Sequence, residues 1–452
     1  MRRPAVPPLT VPGIIEPPAT APHGKTRCAA LGFVPGWLSR KAGSPLAGRC
    51  ARAGVPEPFG GCRTIHRTPS RLCRPITLLS LARSPGASRA GACDETADGQ
   101  GGFPAQAIAR LRRAGHLAAP LPEALGGAGL CEPARVDALR ALLTEIGRDD
   151  LAVGRLFEGH VNALALVLRY ADTAVAERLA RDAAEGQLFG VWNTEPAEGG
   201  LVLDGADGLE GVKTYASGAG FVTRPLVTAR IADGRRLMLV LRLEPGERAD
   251  LSDWRVHGMR TTATGTVDFS GLGLRDGEVI GSPDDYWRQP FFFAGAWRFL
   301  AVQLGGIEAV IETHRAHLAA TGRADDPHQQ ARFGRAMVAA ETSRLIVARA
   351  ARLAAAEADH PERVIAYVNL ARAAVEQAGL DVITLAQRSI GLAGFLEGHP
   401  LERLMRDLAT YLRQPAPDFA LTGMAAHALA ADEPPHALWP DEAAPRAAER
   451  VG

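Results

Sequence analysis

The sequence predicts an α+β protein in three consecutive parts: an N-terminal helical domain, a middle β-barrel-like domain and a C-terminal four-helix bundle. Apolar residues recur at helical spacing in the first part, alternate in the second and return to helical spacing in the third. With 452 residues, 46% of them hydrophobic, the chain can build these cores. We place an extension, the three domains and a flexible tail at residues 1–95, 96–187, 188–284, 285–430 and 431–452.

The proposed extension differs in composition from the rest of the chain. Residues 1–90 hold 14 lysines and arginines against two acids, Glu16 and Glu57, and they hold 14 of the 32 prolines. Neither helical nor strand periodicity persists there, and the cysteine spacing matches no zinc site. Three explanations stay open: a mispredicted start, a disordered natural extension and an arginine-rich targeting peptide.

The N-terminal domain begins with a short helix from about Phe103, followed by a loop rich in proline and glycine. Two longer helical segments come next, PARVDALRALLTEIGRDD and VNALALVLRYADTAVAERLARDAAEG, each with leucines on one stripe. Gly186 is suited to end the second of them. The sequence therefore predicts a helical domain here, with a loop after its first helix.

The middle domain changes to strand periodicity. The segment RPLVTARIADGRRLMLVLRL contains two β-rich runs around Asp233-Gly234, which predicts a hairpin. In TGTVDFSGLGL, Val267 and Phe269 lie on one face of a further strand. Sheet structure is therefore expected between residues 188 and 284.

The C-terminal domain carries two helical signals. One is an apolar stripe formed by Leu300, Leu304, Ile307, Ile311 and Leu318. The other is a heptad-like run with alternating steps of three and four residues, formed by Val368, Ala371, Val375, Ala378, Val382 and Leu385. Such spacing is typical of the seams of antiparallel helix bundles.

Composition and motifs exclude several classes of function. The net charge of +1 gives no overall field that would attract nucleic acid, so we expect no nucleic-acid partner. No stretch approaches the roughly 20 unbroken apolar residues that cross a bilayer, and we expect a cytoplasmic protein without a membrane span. P-loop, GxGxxG, HExxH and GxSxG motifs are absent from the sequence, and no metal site is predicted.

Two segments of the middle domain place an aromatic residue beside hydroxyl groups. GVWNTEP (190–196) contains Trp192 and Thr194, and VKTYASGAG (212–220) contains Tyr215 and Ser217. An aromatic ring can pack on a planar heterocycle while hydroxyl groups bond its polar edge. The two segments therefore suit a ring cofactor, although the ends of two ordinary strands would look the same.

Five segments in order resemble the acyl-CoA dehydrogenase superfamily of FAD flavoproteins, from about Phe103 to about Asp418. They are FPAQAIARLRRAGHLAAPLPEALGGAGL, WNTEP, VKTYASGAG, WRVHGMRTTATGTVDFSGLGLRDGEVIG (254–281) and HPLERLMRDLATY (399–411). The fourth match is the most specific, since Gly258, Arg260 and Thr261 fall in register with the family. The resemblance implies the three-domain acyl-CoA dehydrogenase fold, FAD as the cofactor, an acyl-CoA or similar small-molecule substrate, and a homodimer or homotetramer.

The resemblance also implies roles for single residues. Arg323 stands where the family has an arginine that reaches the pyrophosphate of a neighbouring subunit's FAD. Arg298, at the start of a bundle helix, is expected to face the substrate. Four residues would hold the flavin ring: Trp192, Thr194, Tyr215 and Ser217.

Both usual positions of the family's catalytic base lack a carboxylate. Pro415 replaces the glutamate that follows the Arg-Asp pair, and Trp297 occupies the alternative position before Arg298. Acyl-CoA dehydrogenation requires removal of the substrate α-proton, so a missing base should slow it by several orders of magnitude. The candidates for a displaced base are His160, Glu397 and His399.

The segment DDLAVGRLFEGHVNAL resembles one in flavin monooxygenases of the same superfamily, in which reduced flavin activates O₂. This makes His160 the catalytic candidate, although the second histidine of that branch would fall near Gln414. Three functions stay open: a dehydrogenase with a non-standard base, a flavin-dependent monooxygenase that needs a flavin reductase, and a catalytically silent flavin-binding scaffold. We expect the first, an oxidoreductase that oxidises a CH–CH bond of an acyl-thioester-like substrate and passes electrons to an acceptor.

Overall fold

The structure is a computed structural model that describes residues 102–439, except 206–207, 357–359 and 414. The predicted extension, residues 1–95, lies outside the described residues, and so does the end of the predicted tail, residues 440–452. The described part of the chain runs from helices to strands and back to helices. Short 3₁₀ turns connect several of these elements.

The described helices, α1 to α10 in chain order, are Ala105–Arg113, Val136–Asp149, Leu151–Tyr170, Thr173–Ala184, Phe291–Ala294, Trp297–Ala320, Pro327–Ala356, Pro361–Ile390, Pro400–Tyr411 and Pro417–Ala430. Asp150 begins α3, because its carboxylate accepts hydrogen bonds from the backbone amides of Ala152 (2.8 Å) and Val153 (3.0 Å). Gly391, with a φ of +76°, ends α8 in a conformation that glycine adopts without strain. Capping residues in the sequence thus define where these helices begin and end.

The described strands, β1 to β9, are Phe189–Trp192, Val202–Asp204, Gly208–Glu210, Val212–Ala216, Arg224–Arg230, Arg236–Leu241, Ala249–Asp250, Gly265–Asp268 and Gly277–Ile280. They form two sheets. The larger has the order β3-β2-β5-β6-β9, with β1 pairing in parallel with β5, and the smaller has the order β4-β8-β7. Strands β5 and β6 are antiparallel, with Arg230 opposite Arg236, which confirms the hairpin predicted around Asp233-Gly234.

The predicted fold class is confirmed: an N-terminal helical part, a middle sheet part and a C-terminal helical part. A barrel-like closure of the middle part is not confirmed. The described strands form two sheets, and the larger one ends at β3 on one side and at β9 on the other. Alternation of apolar residues specifies which face of a strand is buried, and it does not specify closure.

Glycines let α2 and α6 approach each other closely. A Cβ atom on Gly305 would lie 2.2 Å from the carbonyl oxygen of Thr144, and one on Gly147 would lie 2.3 Å from the carbonyl oxygen of Val302. Neither distance is possible for a real side chain, so this helix pair depends on glycine on both sides. The contact joins the N-terminal helices to the C-terminal helices.

Helix α9 holds a turn of the sheet domain against the C-terminal helices. The Asp407 carboxylate accepts a hydrogen bond from the backbone amide of Met259 (2.5 Å), and Arg406 donates to the carbonyl oxygen of His257 (3.0 Å). A Cβ atom on Gly258 would lie 2.0 Å from the carbonyl oxygen of Arg406. The Arg406-Asp407 pair therefore links α9 to this turn of the sheet domain.

Trp439, within the predicted flexible tail, is packed against the C-terminal helices. Trp439 donates from its indole nitrogen to the carbonyl oxygen of Arg363 (3.1 Å), and its ring lies edge-on to Tyr367 at 5.5 Å. A single large aromatic residue in a polar segment supplies this anchor, which periodicity could not indicate. Among the described helices, α3 is long and apolar enough to cross a membrane by composition, but 72% of its apolar window is buried inside the protein.

Candidate functional site

The ends of β1 and β4 meet, and they bring together the predicted ring-binding residues. The indole nitrogen of Trp192 donates to the carbonyl oxygen of Ser217 at 3.0 Å. The backbone amide of Thr214 donates to the carbonyl oxygen of Thr194 at 2.9 Å. Trp192 is itself buried, so it holds Ser217 in place and offers no exposed ring face. We call Thr194, Tyr215 and Ser217 the strand-end rim.

Tyr215 is the exposed aromatic residue of the strand-end rim. Its side chain is 70% exposed, and its backbone has a φ of +52° where β4 departs from regular pairing with β8. A non-glycine residue in this left-handed region costs free energy, and such strain concentrates at binding sites. Beside it, the Ser217 hydroxyl lies 3.4 Å from the Thr264 hydroxyl. The rim thus offers one open ring face and a row of hydroxyl groups.

A buried ion cluster supports the strand-end rim. Lys213, fully buried in β4, donates to Glu195 Oε1 at 2.5 Å, and Arg236 donates to both oxygens of that carboxylate at 2.7 and 2.9 Å. Burial lowers the pKa of Lys213 to about 8, although the charge of Glu195 opposes the shift. Glu195 directly follows Thr194, so the cluster fixes the end of β1 beside β4.

His160 lies outside this arrangement. Its Nε2 is 2.7 Å from the carbonyl oxygen of Leu117, and its Nδ1 accepts from the backbone amide of Phe189 at 3.0 Å. The side chain is fully buried, and burial lowers its pKa to about 4. A catalytic role would need a ring nitrogen open to substrate, which neither one is. In this structure His160 ties α3 to the loop that follows α1 and to the start of β1.

The other candidates for a displaced base are a histidine that caps a helix and an exposed glutamate. Nδ1 of His399 accepts from the backbone amide of Leu401 (3.1 Å), where it caps α9, and Glu397 is exposed in the loop before it. Trp297 is buried at 3% exposure, and the carbonyl oxygen of Pro415 accepts from Arg372 at 2.6 Å. The structure thus places no carboxylate at either usual base position.

Arg323 is bound within its own chain. Its Nη1 donates to the carbonyl oxygen of Ser389 at 3.1 Å, between the end of α6 and the end of α8. Arg323 follows the end of α6, whereas Arg298 occupies the first turn of that helix. The role at a neighbouring subunit that the family resemblance implies for Arg323 stays a prediction.

Arg298 belongs to a polar cluster that the sequence did not reveal. Arg155 and Asn162 of α3 both donate to Glu158, which is 1% exposed, and Arg298 Nη1 donates to Asn162 Oδ1 at 2.9 Å. We call these four residues the Arg298 cluster. One feature of the sequence could have indicated this cluster. Arg155, Glu158 and Asn162 are spaced by three and four residues along an otherwise apolar helix, so they share one face and can pair when buried.

The strand-end rim fits a flavin ring by the chemistry of its groups. Tyr215 can cover a ring face, and the hydroxyls of Thr194 and Ser217 can meet ring oxygens and nitrogens. Among the described residues, no group of three or more His, Cys, Asp or Glu side chains could hold a metal ion.

Two family models match the chain on either side of the sheet domain. The model described as acyl-CoA dehydrogenase, N-terminal domain, matches residues 86–187, and the model described as acyl-CoA dehydrogenase, C-terminal domain, matches residues 291–412. The two matches follow each other in the order that the sequence segments predicted. They flank the strands that carry the strand-end rim.

Curated relatives include flavin monooxygenases. The chain is 25% identical over 356 residues to a dibenzothiophene monooxygenase of Mycolicibacterium goodii, covering 70% of this chain and 84% of the relative. It is 26% identical over 301 residues to a probable FMNH₂-dependent monooxygenase, SfnC, of Pseudomonas putida, covering 62% of this chain and 74% of the relative. These relatives match the monooxygenase alternative better than the expected dehydrogenase.

A solved structure shares the fold. FMN-bound TdsC from Paenibacillus sp. A11-2 has a TM-score of 0.64 and 20% identity, covering 76% of this chain and 95% of that one. TdsC is described as FMN-bound, and the Pseudomonas relative is described as FMNH₂-dependent. The prediction of FAD is therefore wrong, because these relatives point to FMN. Family resemblance alone could not separate the two flavins, which share the same ring.

Proposed function

The chain belongs to the acyl-CoA dehydrogenase superfamily, and on that premise we propose that it is a flavin-dependent monooxygenase that uses reduced FMN. The observation that carries this proposal is the state of the two base positions. Trp297 is buried in α6, and Pro415 is bound through its carbonyl oxygen by Arg372. Neither residue can accept a proton from a substrate carbon.

The two reactions place different demands on the protein. A dehydrogenase must remove an α-proton while hydride leaves the neighbouring carbon, so it needs a base near the flavin. Reduced FMN, when bound, supplies electrons to O₂, and this step needs no base at the substrate α-carbon. Both base positions lack a carboxylate, while the strand-end rim suits a flavin ring. This combination supports oxygenation over dehydrogenation. The monooxygenase relatives support the same choice.

The residues of this chain would bind and orient the cofactor. Tyr215 would cover one face of the ring, and Thr194 and Ser217 would bond its polar edge. Trp192 would hold Ser217 through its indole nitrogen, and the ion cluster around Glu195 would fix the strand end that carries Thr194. Buried groups that pack against or hydrogen-bond to the residues of a cofactor site keep those residues in the geometry that binding needs.

The proposal extends to partners and location. A separate reductase would supply reduced FMN, and the substrate would be a small molecule. We propose a cytoplasmic homo-oligomer formed through the C-terminal helices, where several large apolar side chains are exposed: Val338, Leu345, Phe419 and Leu429. Large exposed apolar side chains on helices are typical of subunit interfaces.

Flavin titration of the full-length protein tests the proposal. Quenching of flavin fluorescence should show that FMN binds at least about tenfold more tightly than FAD. Anaerobic addition of short-, medium- and long-chain acyl-CoAs to the FMN-loaded protein should leave the visible flavin absorbance unchanged. Bleaching by any acyl-CoA would establish a dehydrogenase instead, and binding of neither flavin would indicate a flavin-free scaffold.

A further inference from the structure

Three hydroxyl groups lead in a row from the strand-end rim into the protein. The Ser217 hydroxyl lies 3.4 Å from that of Thr264, and the Thr264 hydroxyl lies 2.8 Å from that of Thr262. The Thr262 hydroxyl in turn donates to the carbonyl oxygen of Met259 at 2.8 Å. We call Ser217, Thr264 and Thr262 the hydroxyl row. It begins at the proposed flavin site and ends at a backbone carbonyl.

The inner part of the hydroxyl row is closed to solvent. Thr262 is 1% exposed and Thr264 is 3% exposed. A buried hydroxyl that leaves its proton without an acceptor loses free energy, so buried hydroxyls are almost always hydrogen-bonded. The protons of the two threonines are therefore expected to be used within the row.

One arrangement of protons serves all three contacts of the hydroxyl row. A carbonyl oxygen can only accept, so the proton of Thr262 goes to Met259. The contact between the two threonines must then use the proton of Thr264. The contact between Thr264 and Ser217 is left to the proton of Ser217. The Ser217 hydroxyl thus turns its proton inward and its free lone pairs towards the rim.

Backbone hydrogen bonds keep the hydroxyl row in place. The amide of Gly218 donates to the carbonyl oxygen of Thr262 at 2.8 Å, which holds Ser217 beside the threonines. At the far end, the Asp407 carboxylate of α9 accepts from the amide of Met259 at 2.5 Å. A hydroxyl fixed in position and in direction can select between a donor and an acceptor on a ligand.

We propose that Thr262 and Thr264 make Ser217 a hydrogen-bond acceptor towards the flavin ring, so that the site prefers reduced FMN to oxidised FMN. The identity of the cofactor rests on the proposed function. Reduction by two electrons places hydrogen on a ring nitrogen that can only accept in the oxidised ring. An accepting hydroxyl that faces this nitrogen therefore gains a partner on reduction. Thr262 and Thr264 act through Ser217 and are positioning residues.

The midpoint potential of bound FMN measures this preference. Tighter binding of the reduced flavin raises the potential above that of free FMN, by about 30 mV for a tenfold ratio of affinities in a two-electron couple. Anaerobic reduction of the full-length, FMN-loaded protein beside a reference dye should show reduced FMN bound about threefold to tenfold more tightly. A potential equal to or below that of free FMN would overturn the proposal.

Variants of Thr264 assign the preference to the hydroxyl row. Thr264→Val keeps the shape of the side chain and removes the acceptor for the proton of Ser217, so the affinity ratio should fall to about one. Thr264→Ser retains the hydroxyl and should retain the ratio. Thr266→Val makes the same change two residues away, outside the row, and should leave the ratio as it is.

A second variant keeps the test decisive if Thr264→Val does not fold. Thr262→Val leaves the proton of Thr264 free to point at Ser217, which then turns its own proton outward. The affinity ratio should again fall to about one or below. A ratio that survives in either folded valine variant would contradict the role of the row.

Failure of this proposal and failure of the proposed function give different results. The potentials are measured without O₂ and without substrate, so they do not depend on turnover. A protein that binds reduced FMN and alters its reoxidation, but keeps its potential in the valine variants, would retain the proposed function and lose the role of the row. Binding of neither oxidised nor reduced FMN would overturn both.

Discussion

Tyr215 has an exposed side chain, and its backbone has a φ of +52°. A tyrosine adopts this conformation only at a cost in free energy. Because little of the ring is buried against protein, Tyr215→Ala should change the free energy of unfolding by less than about 0.5 kcal/mol. The same variant should weaken FMN binding by about fivefold to tenfold, since it removes the face that covers the ring. Fluorescence titration and urea unfolding measure the two effects.

Tyr215→Phe is the matched control for this prediction. It keeps the ring and the backbone conformation and should bind FMN as the unchanged protein does. Equal FMN affinity of the alanine variant would place the flavin elsewhere. A large loss of stability in the alanine variant would instead make Tyr215 a structural residue.

His160 predicts a pH dependence of stability. Burial lowers its pKa from an ordinary 6.5 to about 4, so the unfolded chain takes up a proton at a higher pH than the folded chain does. Stability should therefore fall by about 3 kcal/mol as the pH drops from 6.5 to 4 on account of this residue. His160→Gln can replace both hydrogen bonds without titrating, and it should flatten this part of the curve.

Urea unfolding at several pH values between 7.5 and 4 (about one pH unit apart) measures the effect. The exposed His436→Gln serves as a control and should not change the slope. An unchanged slope in His160→Gln would contradict the assignment. If the variant folds but loses the proposed monooxygenase activity, the ring itself would have a role beyond the two hydrogen bonds.

At the level of residues, the sequence could predict groups whose chemistry is visible locally. Thr194, Tyr215 and Ser217 stood out because aromatic and hydroxyl groups adjoin glycine in two short segments. Glu158 did not, because a glutamate in a helix is usually solvated. Its burial follows from contacts with Arg155 and Asn162 and from the packing of α3 inside the protein. A catalytic role was predicted for His160, but the sequence did not reveal that both of its ring nitrogens bond to backbone groups.

Two helical glycines allow a direct test of packing at the level of elements. Gly305→Ala would place a Cβ atom 2.2 Å from the carbonyl oxygen of Thr144, which must push α2 and α6 apart. We expect a loss of about 2–3 kcal/mol in the free energy of unfolding. Urea unfolding of the full-length protein measures it.

Gly334→Ala is the matched control in α7. Nothing lies within 4 Å of the position of its Cβ atom, so the substitution only removes the conformational freedom of a helical glycine. It should stabilise the protein by up to about 1 kcal/mol. Equal effects of the two substitutions would contradict the close approach of α2 and α6.

Elements with a local signal were predictable, and those set by distant contacts were not. The β5–β6 hairpin followed from Asp233-Gly234 between two β-rich runs, and α8 followed from its heptad-like spacing. The parallel pairing of β1 with β5 and the division into two sheets depend on strands far apart in sequence. Hydrophobic alternation fits either arrangement, which is why a barrel-like domain was expected.

At the level of the whole molecule, the order of helical, sheet and helical parts was readable from periodicity, and their docking was not. The contact of α9 with the turn at Met259 and the glycine contact between α2 and α6 bring distant segments together. This docking places the first turn of α6 against α3, where Arg298 donates to Asn162. The expected dehydrogenase rested on the common chemistry of the superfamily, whereas the base positions and the relatives favour oxygenation.

The central claim is that this protein binds reduced FMN and controls its reaction with O₂. Stopped-flow mixing of reduced FMN with aerated buffer, with and without excess protein, tests it most directly. We predict that the protein changes the time course of flavin reoxidation from that of free reduced FMN, and that Tyr215→Ala, which binds FMN more weakly, shifts the time course towards the free behaviour. Identical time courses with and without protein, together with bleaching of bound flavin by an acyl-CoA, would contradict the account.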